Sequence, residues 1–229
     1  MREIVLDTET TGLDPAKGDR IVEIGAVELL NGVATGQVFH VYLNPERDVP
    51  HDAQRVHGLT TQFLADKPLF AHVASQFIDF IGQDRLVIHN AEFDIRFLNA
   101  ELARLNAPPL AMTRVLDTLP LARRRHPGAA NSLDALCARY GVDTSRRKKQ
   151  GALLDAELLA EVYLELNGGR QTTLILVDAA RRPEIAVRYD LLSCRARPLT
   201  ARLTDDDKIA HRRLVAAMGD KSLWRIRFS

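Results

Sequence analysis

The chain has 229 residues, 46% of them hydrophobic and 27% charged, with 13 Gly and 10 Pro, enough to bury one substantial core plus an appendage and too varied for a low-complexity chain. No run approaches the roughly 18 to 20 apolar residues of a membrane span, and Met1 leads into a charged, strand-like segment rather than a signal peptide. Cys137 and Cys194 lie far apart and fit no metal-ligand spacing, which excludes a disulfide scaffold or zinc finger and leaves the expectation of a cytoplasmic protein with reduced thiols and no membrane partner.

A formal net charge of +1 conceals an asymmetry. Residues 1–169 hold 18 Lys and Arg against 23 Asp and Glu, a balance of −5, while residues 170–229 hold 13 against 7, a balance of +6. The two parts are built for different work: the acidic part is where metal ligands are sought, and the basic part suits nucleic acid or an acidic partner.

In chain order, Ile4-Val5-Leu6 opens a short strand, and Ile21 to Leu30 and Val38 to Leu43 form two more, separated by Asn31-Gly32 and Gly36, so that the start reads as a three-stranded meander. A Pro/Asp/His-rich loop covers Pro50 to Gly58. Helical spacing follows over Phe70 to Ile81 through Phe70, Val73, Phe77, Ile78 and Ile81. Leu86-Val87-Ile88 is a buried strand, Glu92 to Leu105 a helix closed by Pro108-Pro109, and Val115 to Thr118 a short strand or turn leading into more helices. Asn131 and Ser132 stand at the N-cap of a helix stopped by Gly141. Ala152 to Leu166 repeats apolar residues at Leu154, Leu158, Val162 and Leu166 until Gly168-Gly169. Helical signal returns at Asp207 to Met218, after Thr204 and an acidic first turn. Strands first, then strands alternating with helices, imply an α/β domain with a mixed sheet. The chain beyond Arg170 has too few apolar residues for a second core and is expected to form a largely flexible tail.

Three segments carry candidate chemistry. In Asp7-Thr8-Glu9-Thr10-Thr11-Gly12, alternation along a strand turns Asp7 and Glu9 to one face, where two carboxylates are costly unless a cation lies between them. An oxygen-only ligand set selects Mg²⁺ or Mn²⁺, and a turn at Gly12 is able to present backbone N–H groups to a phosphate or terminal hydroxyl. A solvated acidic strand end explains Asp-x-Glu in isolation. In His89-Asn90-Ala91-Glu92-Phe93-Asp94, Asn90 as a helix cap and Asp94 as a first-turn acid are sufficient without a metal. Asp155, between Leu154 and Leu158, borders an apolar stripe, where a carboxylate needs a partner; taken alone it reads equally as a helix-surface acid.

Together and in this order, the three segments resemble the DEDD family of 3'-5' exonucleases. The runs Val56-His57-Gly58-Leu59-Thr60, Asn131-Ser132-Leu133-Asp134-Ala135-Leu136-Cys137 and Gly151-Ala152-Leu153-Leu154-Asp155-Ala156-Glu157 look like those of its proofreading branch, the epsilon subunits of bacterial DNA polymerase III. The resemblance covers roughly the first 168 residues, and three ordered motifs are far more specific than one. It implies a ribonuclease H-like fold, a mixed sheet flanked by helices. It further implies that Asp7, Glu9 and Asp155 hold the first of two divalent ions, with Asp7 shared to the second and Asp94 acting through water. The ions would activate a water, align the scissile phosphate and stabilise the leaving 3' oxygen. Asp52 and His57 fall near the terminal nucleotide, and Thr10, Gly12 and Asn90 complete the candidate substrate-binding set.

One position departs from the pattern. The histidine branch of the family places its general base five residues before the last acid, and that residue here is Gln150; the tyrosine branch would need a Tyr at Gly151. Glutamine orients a water but has no titratable proton near neutral pH, so hydrolysis is expected to be slowed while metal and DNA binding survive. Either an inactivating substitution introduced to trap a substrate complex, or a natural sequence in which the site has decayed or works by metal alone, accounts for it.

The chain then divides into an exonuclease domain at 1–168, a linker at 169–203 and a polymerase-binding tail at 204–229. Within the linker, Gln171-Thr172-Thr173-Leu174-Ile175-Leu176 resembles the short peptides that dock on the bacterial sliding clamp, with Gln171 as polar contact and Leu174 and Leu176 as aliphatic anchors. The segment from Thr204 to Arg225 looks like the part of epsilon that binds the polymerase catalytic (alpha) subunit, with Leu223 and Trp224 as interface anchors. The expected substrate is the 3' end of a DNA primer. Two other readings stay open: a structural subunit bridging polymerase and clamp over a vestigial nuclease site, and a free-standing RNA or oligonucleotide 3' exonuclease.

Overall fold

The computed structural model describes residues 1–145, 151–169 and 204–218. The chain divides into two units, Met1–Leu174 and Ile175–Ser229. Five strands of the first unit, β1 (Arg2–Thr10), β2 (Ile21–Leu30), β3 (Val33–Tyr42), β4 (Arg85–Ile88) and β5 (Val115–Asp117), form one sheet in the order β3-β2-β1-β4-β5. Pairing is antiparallel for β1 with β2 and β2 with β3, and parallel for β1 with β4 and β4 with β5. The sheet is therefore mixed, and with helices on both faces it is the ribonuclease H-like arrangement that the motifs implied.

Alternation along β1 separates two layers of core. Ile4 and Leu6 join Ile24, Ala26, Leu86 and Ile88 against α3 (Phe70–Ile81) and α4 (Ala91–Arg104), through Phe77, Ile81, Ile95, Leu98 and Leu102. Val5, Leu29 and Val87 face the other way, onto Leu159, Ala160 and Tyr163 of α7 (Ala152–Leu166). Full burial of each such Leu, Ile or Phe is worth about 1.5–3 kcal/mol. Asp7 and Glu9 continue the Val5 face and Thr8 the Leu6 face, so both helical layers reach the carboxyl end of β1.

Behind α7 lie α5 (Thr118–Arg125) and α6 (Leu133–Tyr140), joined to it by Ala122, Leu136, Cys137, Leu158 and Val162. Ser132 caps α6 by accepting from the Ala135 N–H, and Gly141 ends it in the left-handed region, as the sequence predicts. Around Val22, α1 (His51–His57) and α2 (Thr61–Leu64) close the end of the sheet through Val49 and Leu64.

Several expectations change. β3 begins at Val33 rather than Val38, because Asn31 (φ 52°) and Gly32 (φ 79°) make a two-residue hairpin turn; both left-handed values suit the twist of antiparallel strands. Gly36 thus lies inside the strand instead of before it. The loop expected from Pro50 to Gly58 contains α1, closed by Gly58 at φ 81°.

In the second unit, α8 (Asp205–Ala217) is the helix expected at Asp207 to Met218. It starts two residues earlier because Thr204 and Asp207 form a capping box, which satisfies the first N–H groups of the helix. Cys194, the rest of the linker and the chain beyond Met218, including their expected flexibility, lie outside the described residues.

Candidate active site

Three carboxylates meet at the carboxyl end of β1. Ligand atoms of Asp7, Glu9 and Asp155 all lie within 4.8 Å of one another. That is just beyond twice the Mg–O distance of about 2.1 Å, so small side-chain movements bring them round one divalent ion. Glu9 and Asp155 are buried and Asp7 is partly so, which makes three anions this close unfavourable without a cation.

The approach of α7 depends on Gly25, which pairs with Asp7 in the β1–β2 ladder. A Cβ on Gly25 would stand 2.1 Å from the Leu153 nitrogen and 2.4 Å from the Ala152 oxygen. Only glycine lets the first turn of α7 rest on the strand, and that contact delivers Asp155 to Asp7.

Asp94 arrives from the other layer, on the first turn of α4. Its Oδ1 accepts from the Thr8 backbone N–H at 3.0 Å and from Thr8 Oγ1 at 2.7 Å. Burial pushes the Asp94 carboxyl up to about 7, against the pull of these Thr8 hydrogen bonds in the opposite direction. Asp7 is raised well above the usual carboxylate range, first by burial and then by the charges of Asp94, Glu9, Asp155 and Glu23. A cation at the cluster would reverse both effects by favouring the ionised forms, and this chemistry of the donor set is what fits a divalent metal.

These groups form the floor of a cleft of about 660 Å³ whose lining includes the candidate substrate-binding residues Thr10, Gly12, Asp52, His57 and Asn90. Gly12 is pressed against the Asp19 carboxylate, 2.3 Å from where its Cβ would be. Asp19 in turn accepts from the Asp14 N–H at 3.1 Å and from Arg47 Nη1 at 2.9 Å, fixing the loop after β1. His57 is buried at the end of α1, and its Nδ1 accepts from the Leu59 N–H at 3.0 Å. In the neutral ring the proton is therefore on Nε2, a donor within the cleft wall. Asp52 is exposed at the mouth and paired with Arg55.

Asn90 does not cap α4 with its side chain. It holds φ 64° and leaves the capping to Asp117, whose carboxylate accepts from the Asn90 N–H at 3.0 Å and the Ala91 N–H at 3.1 Å. His89 lines the cleft, is bonded through Nδ1 to Thr118 Oγ1 at 2.8 Å, and is lowered chiefly by burial.

Gln150, Gln171, Leu174, Leu176, Leu223 and Trp224 lie outside the described residues. Sequence reasoning missed Thr8, Glu23 and Asp117, and the apolar walls Leu13, Val56, Phe93 and Leu133. Glu23 is buried opposite Glu9, with His40 Nε2 at 2.7 Å from its Oε1. Only the strand register reveals that neighbour.

A mixed sheet whose central strand ends in clustered carboxylates, at the floor of a cleft, defines a nuclease of the divalent-metal type. Residues 4–163 match the exonuclease family, and the chain belongs to it; it is a 3'-5' exonuclease. It is 56% identical over 181 residues to the DNA polymerase III subunit epsilon of Rickettsia felis, covering 78% of this chain and 79% of that protein. With the subunit epsilon of Escherichia coli strain K12 it shares 44% identity over 236 residues, covering 98% and 97%. Among solved structures it is similar to exonuclease X in complex with 5' overhanging duplex DNA, with a TM-score of 0.56 and 27% identity over 72% of this chain and 90% of that one. Escherichia coli exonuclease I in complex with a dT13 oligonucleotide shares the fold, with a TM-score of 0.61 and 19% identity over 72% and 40%.

Proposed function

We propose that this exonuclease is the proofreading subunit of a replicative DNA polymerase in the cytoplasm, releasing deoxynucleotide 5'-monophosphates from mispaired primer 3' ends. The observation that carries the reading is the convergence of Asp7, Glu9 and Asp155, with Asp94 alongside, in a chain so similar to named epsilon subunits. Asp7, Glu9 and Asp155 would hold one divalent ion, Mg²⁺ or Mn²⁺, with Asp7 also serving a second and Asp94 contributing through water. Two such ions, when bound, supply an activated water and charge stabilisation on both sides of the scissile phosphate.

The remaining work belongs to side chains and backbone. The turn after β1 presents Gly12 to the terminal nucleotide, the Thr11 N–H being taken by the Arg20 carbonyl at 2.9 Å, while His57 offers its Nε2 proton and Asp52 and Asn90 border the sugar and phosphate. Leu13, Val56 and Phe93 give the base an apolar wall. Selection of mismatches follows from fraying, since a mispaired terminus costs less to unstack and carry into the cleft.

Gln150 holds a water by hydrogen bonding but takes no proton from it, and hydrolysis is slowed by roughly 10² to 10⁴, the usual worth of a positioned base. Gln171, Leu174 and Leu176 dock on the sliding clamp, and Leu223 and Trp224 on the polymerase catalytic subunit. The deciding experiment measures deoxynucleotide monophosphate release from a 3'-mismatched primer-template in Mg²⁺ and Mn²⁺, for the chain and for Gln150→His, over a pH series. A gain of about a hundredfold or more is expected from the histidine. Equal rates would remove Gln150 from this role, and no cleavage by either chain would favour a subunit that only bridges polymerase and clamp.

A further inference from the structure

Beside the catalytic cleft is a second concavity of about 550 Å³, lined among others by Leu119, Arg123, Gly128, Asn131 and Ser132. The two hollows share a partition, the segment 131–133: Asn131 and Ser132 line the second, and Leu133 lines the first. The His89 imidazole on the cleft wall is lowered by burial and, to a smaller extent, by the charge of Arg123. Arg123 lines the concavity, on the other side of that partition from the cleft.

The helix that carries it, α5, has the sequence Thr-Leu-Pro-Leu-Ala-Arg-Arg-Arg, with three cations in its last turn and no acid. Basic residues at a helix C-terminus offset the macrodipole, and Arg125 does so across the interface by donating from Nη1 to the Leu166 carbonyl at 2.6 Å. Arg139 is likewise engaged, donating from Nη2 to the Ala130 carbonyl at 3.1 Å, which holds the loop that rims the concavity. Asp117, the acid at the start of α5, is taken up by the N–H groups of Asn90, Ala91 and Leu119. Arg123 has no hydrogen bond or ion pair among the described residues. That leaves its guanidinium at the rim of the hollow without such a partner, in a part of the chain with a charge balance of −5. Its planar fork matches a phosphate.

We infer that Arg123 and the concavity beneath it form a phosphodiester-binding subsite for the DNA strand whose 3' end occupies the cleft. The inference rests on the nuclease function proposed above and adds to it a contact upstream of the reacting phosphate. The subsite reads no sequence and contributes through charge, by release of counterions from the strand.

The test is equilibrium binding of a fluorescent single-stranded oligothymidylate to the full chain in Ca²⁺ over a range of NaCl, beside binding of thymidine 5'-monophosphate. Arg123→Ala is expected to weaken the oligonucleotide roughly three- to tenfold and to flatten the slope of log affinity against log salt by about 0.7, the value of one phosphate on a single strand. Arg123→Lys is expected to restore the slope, and neither variant to change mononucleotide binding. An unchanged slope in Arg123→Ala, or an equal loss for the mononucleotide, would overturn the subsite. Nucleotide release is scored separately: a wild-type chain that binds both probes but hydrolyses no DNA counts against the proofreading function, while the subsite still stands or falls on the slope.

Discussion

Asp94 shows how one side chain couples fold and chemistry. In the folded chain it keeps its proton up to about pH 7, against an ordinary value of 3.8. Between those values the folded state binds the extra proton, so the stability of the metal-free chain falls as pH rises through this window and levels off above it. Asp7, raised by burial and by its acidic neighbours, acts in the same direction. In EDTA the melting temperature is therefore expected to be lower at pH 7.5 than at pH 5, and saturating Mg²⁺ to raise it more at pH 7.5, where binding displaces fewer protons. Scanning calorimetry at the two pH values checks this, and a Mg²⁺ effect independent of pH would refute it. Thr8 sets the scale, because its hydroxyl and amide both favour the Asp94 anion. Thr8→Val removes the hydroxyl and is expected to move the pH midpoint of Mn²⁺ binding up by about one pH unit, since a hydrogen bond to a charged group is worth about 1.5 kcal/mol. The meeting of Asp7, Glu9 and Asp155 was legible only from the three motifs taken together and in order, because each acid alone has an ordinary reading as a strand-end or helix-surface acid. Thr8 was not, since its role depends on a residue from another layer.

At the level of elements, the site is a meeting of two layers on one strand, and the critical joint is the crossing of α7 over β2. Gly25 carries it: any side chain there collides with the backbone of Ala152 and Leu153. Gly25→Ala is expected to destabilise the chain by about 1–3 kcal/mol through overpacking. It should also abolish the Mg²⁺-dependent rise in melting temperature, by lifting Asp155 away from Asp7. Thermal melts with and without Mg²⁺ test both parts, and a variant with wild-type metal stabilisation would show that α7 tolerates the shift. The helices α3, α4, α6 and α7 were legible from apolar spacing and caps, because each buries one stripe against the sheet or another helix. The short α1 has no stripe long enough to betray it: of its residues only His57 is buried, and the Pro/Asp/His composition reads as loop. The early start of β3 escaped because Val33 and the residues up to Val38 are exposed on an edge strand, so no buried alternation marks them.

For the molecule as a whole, the charge split falls close to the end of α7. The acidic part contains the sheet and the site; the basic part contains α8, whose described residues include no buried ones. A fragment ending at Gly169 is expected to melt as cooperatively as the full chain and to keep its Mg²⁺ response, while losing co-elution with a sliding clamp and with a polymerase catalytic subunit. Gel filtration of mixtures and calorimetry of the fragment measure these outcomes, and a fragment that fails to fold would place part of the core beyond residue 169. The placement of Asp155 has a further consequence in time. β1 is among the first segments to leave the ribosome and α7 among the last of its unit, so the strand can pair with β2 and β4 long before its third carboxylate exists. A nascent chain of this protein lacks the complete cluster of Asp7, Glu9 and Asp155 until α7 has been synthesised and has docked. On the metal-binding role proposed above, hydrolytic capacity would switch on only once α7 has docked, and metal capture would act as a seal on that fold.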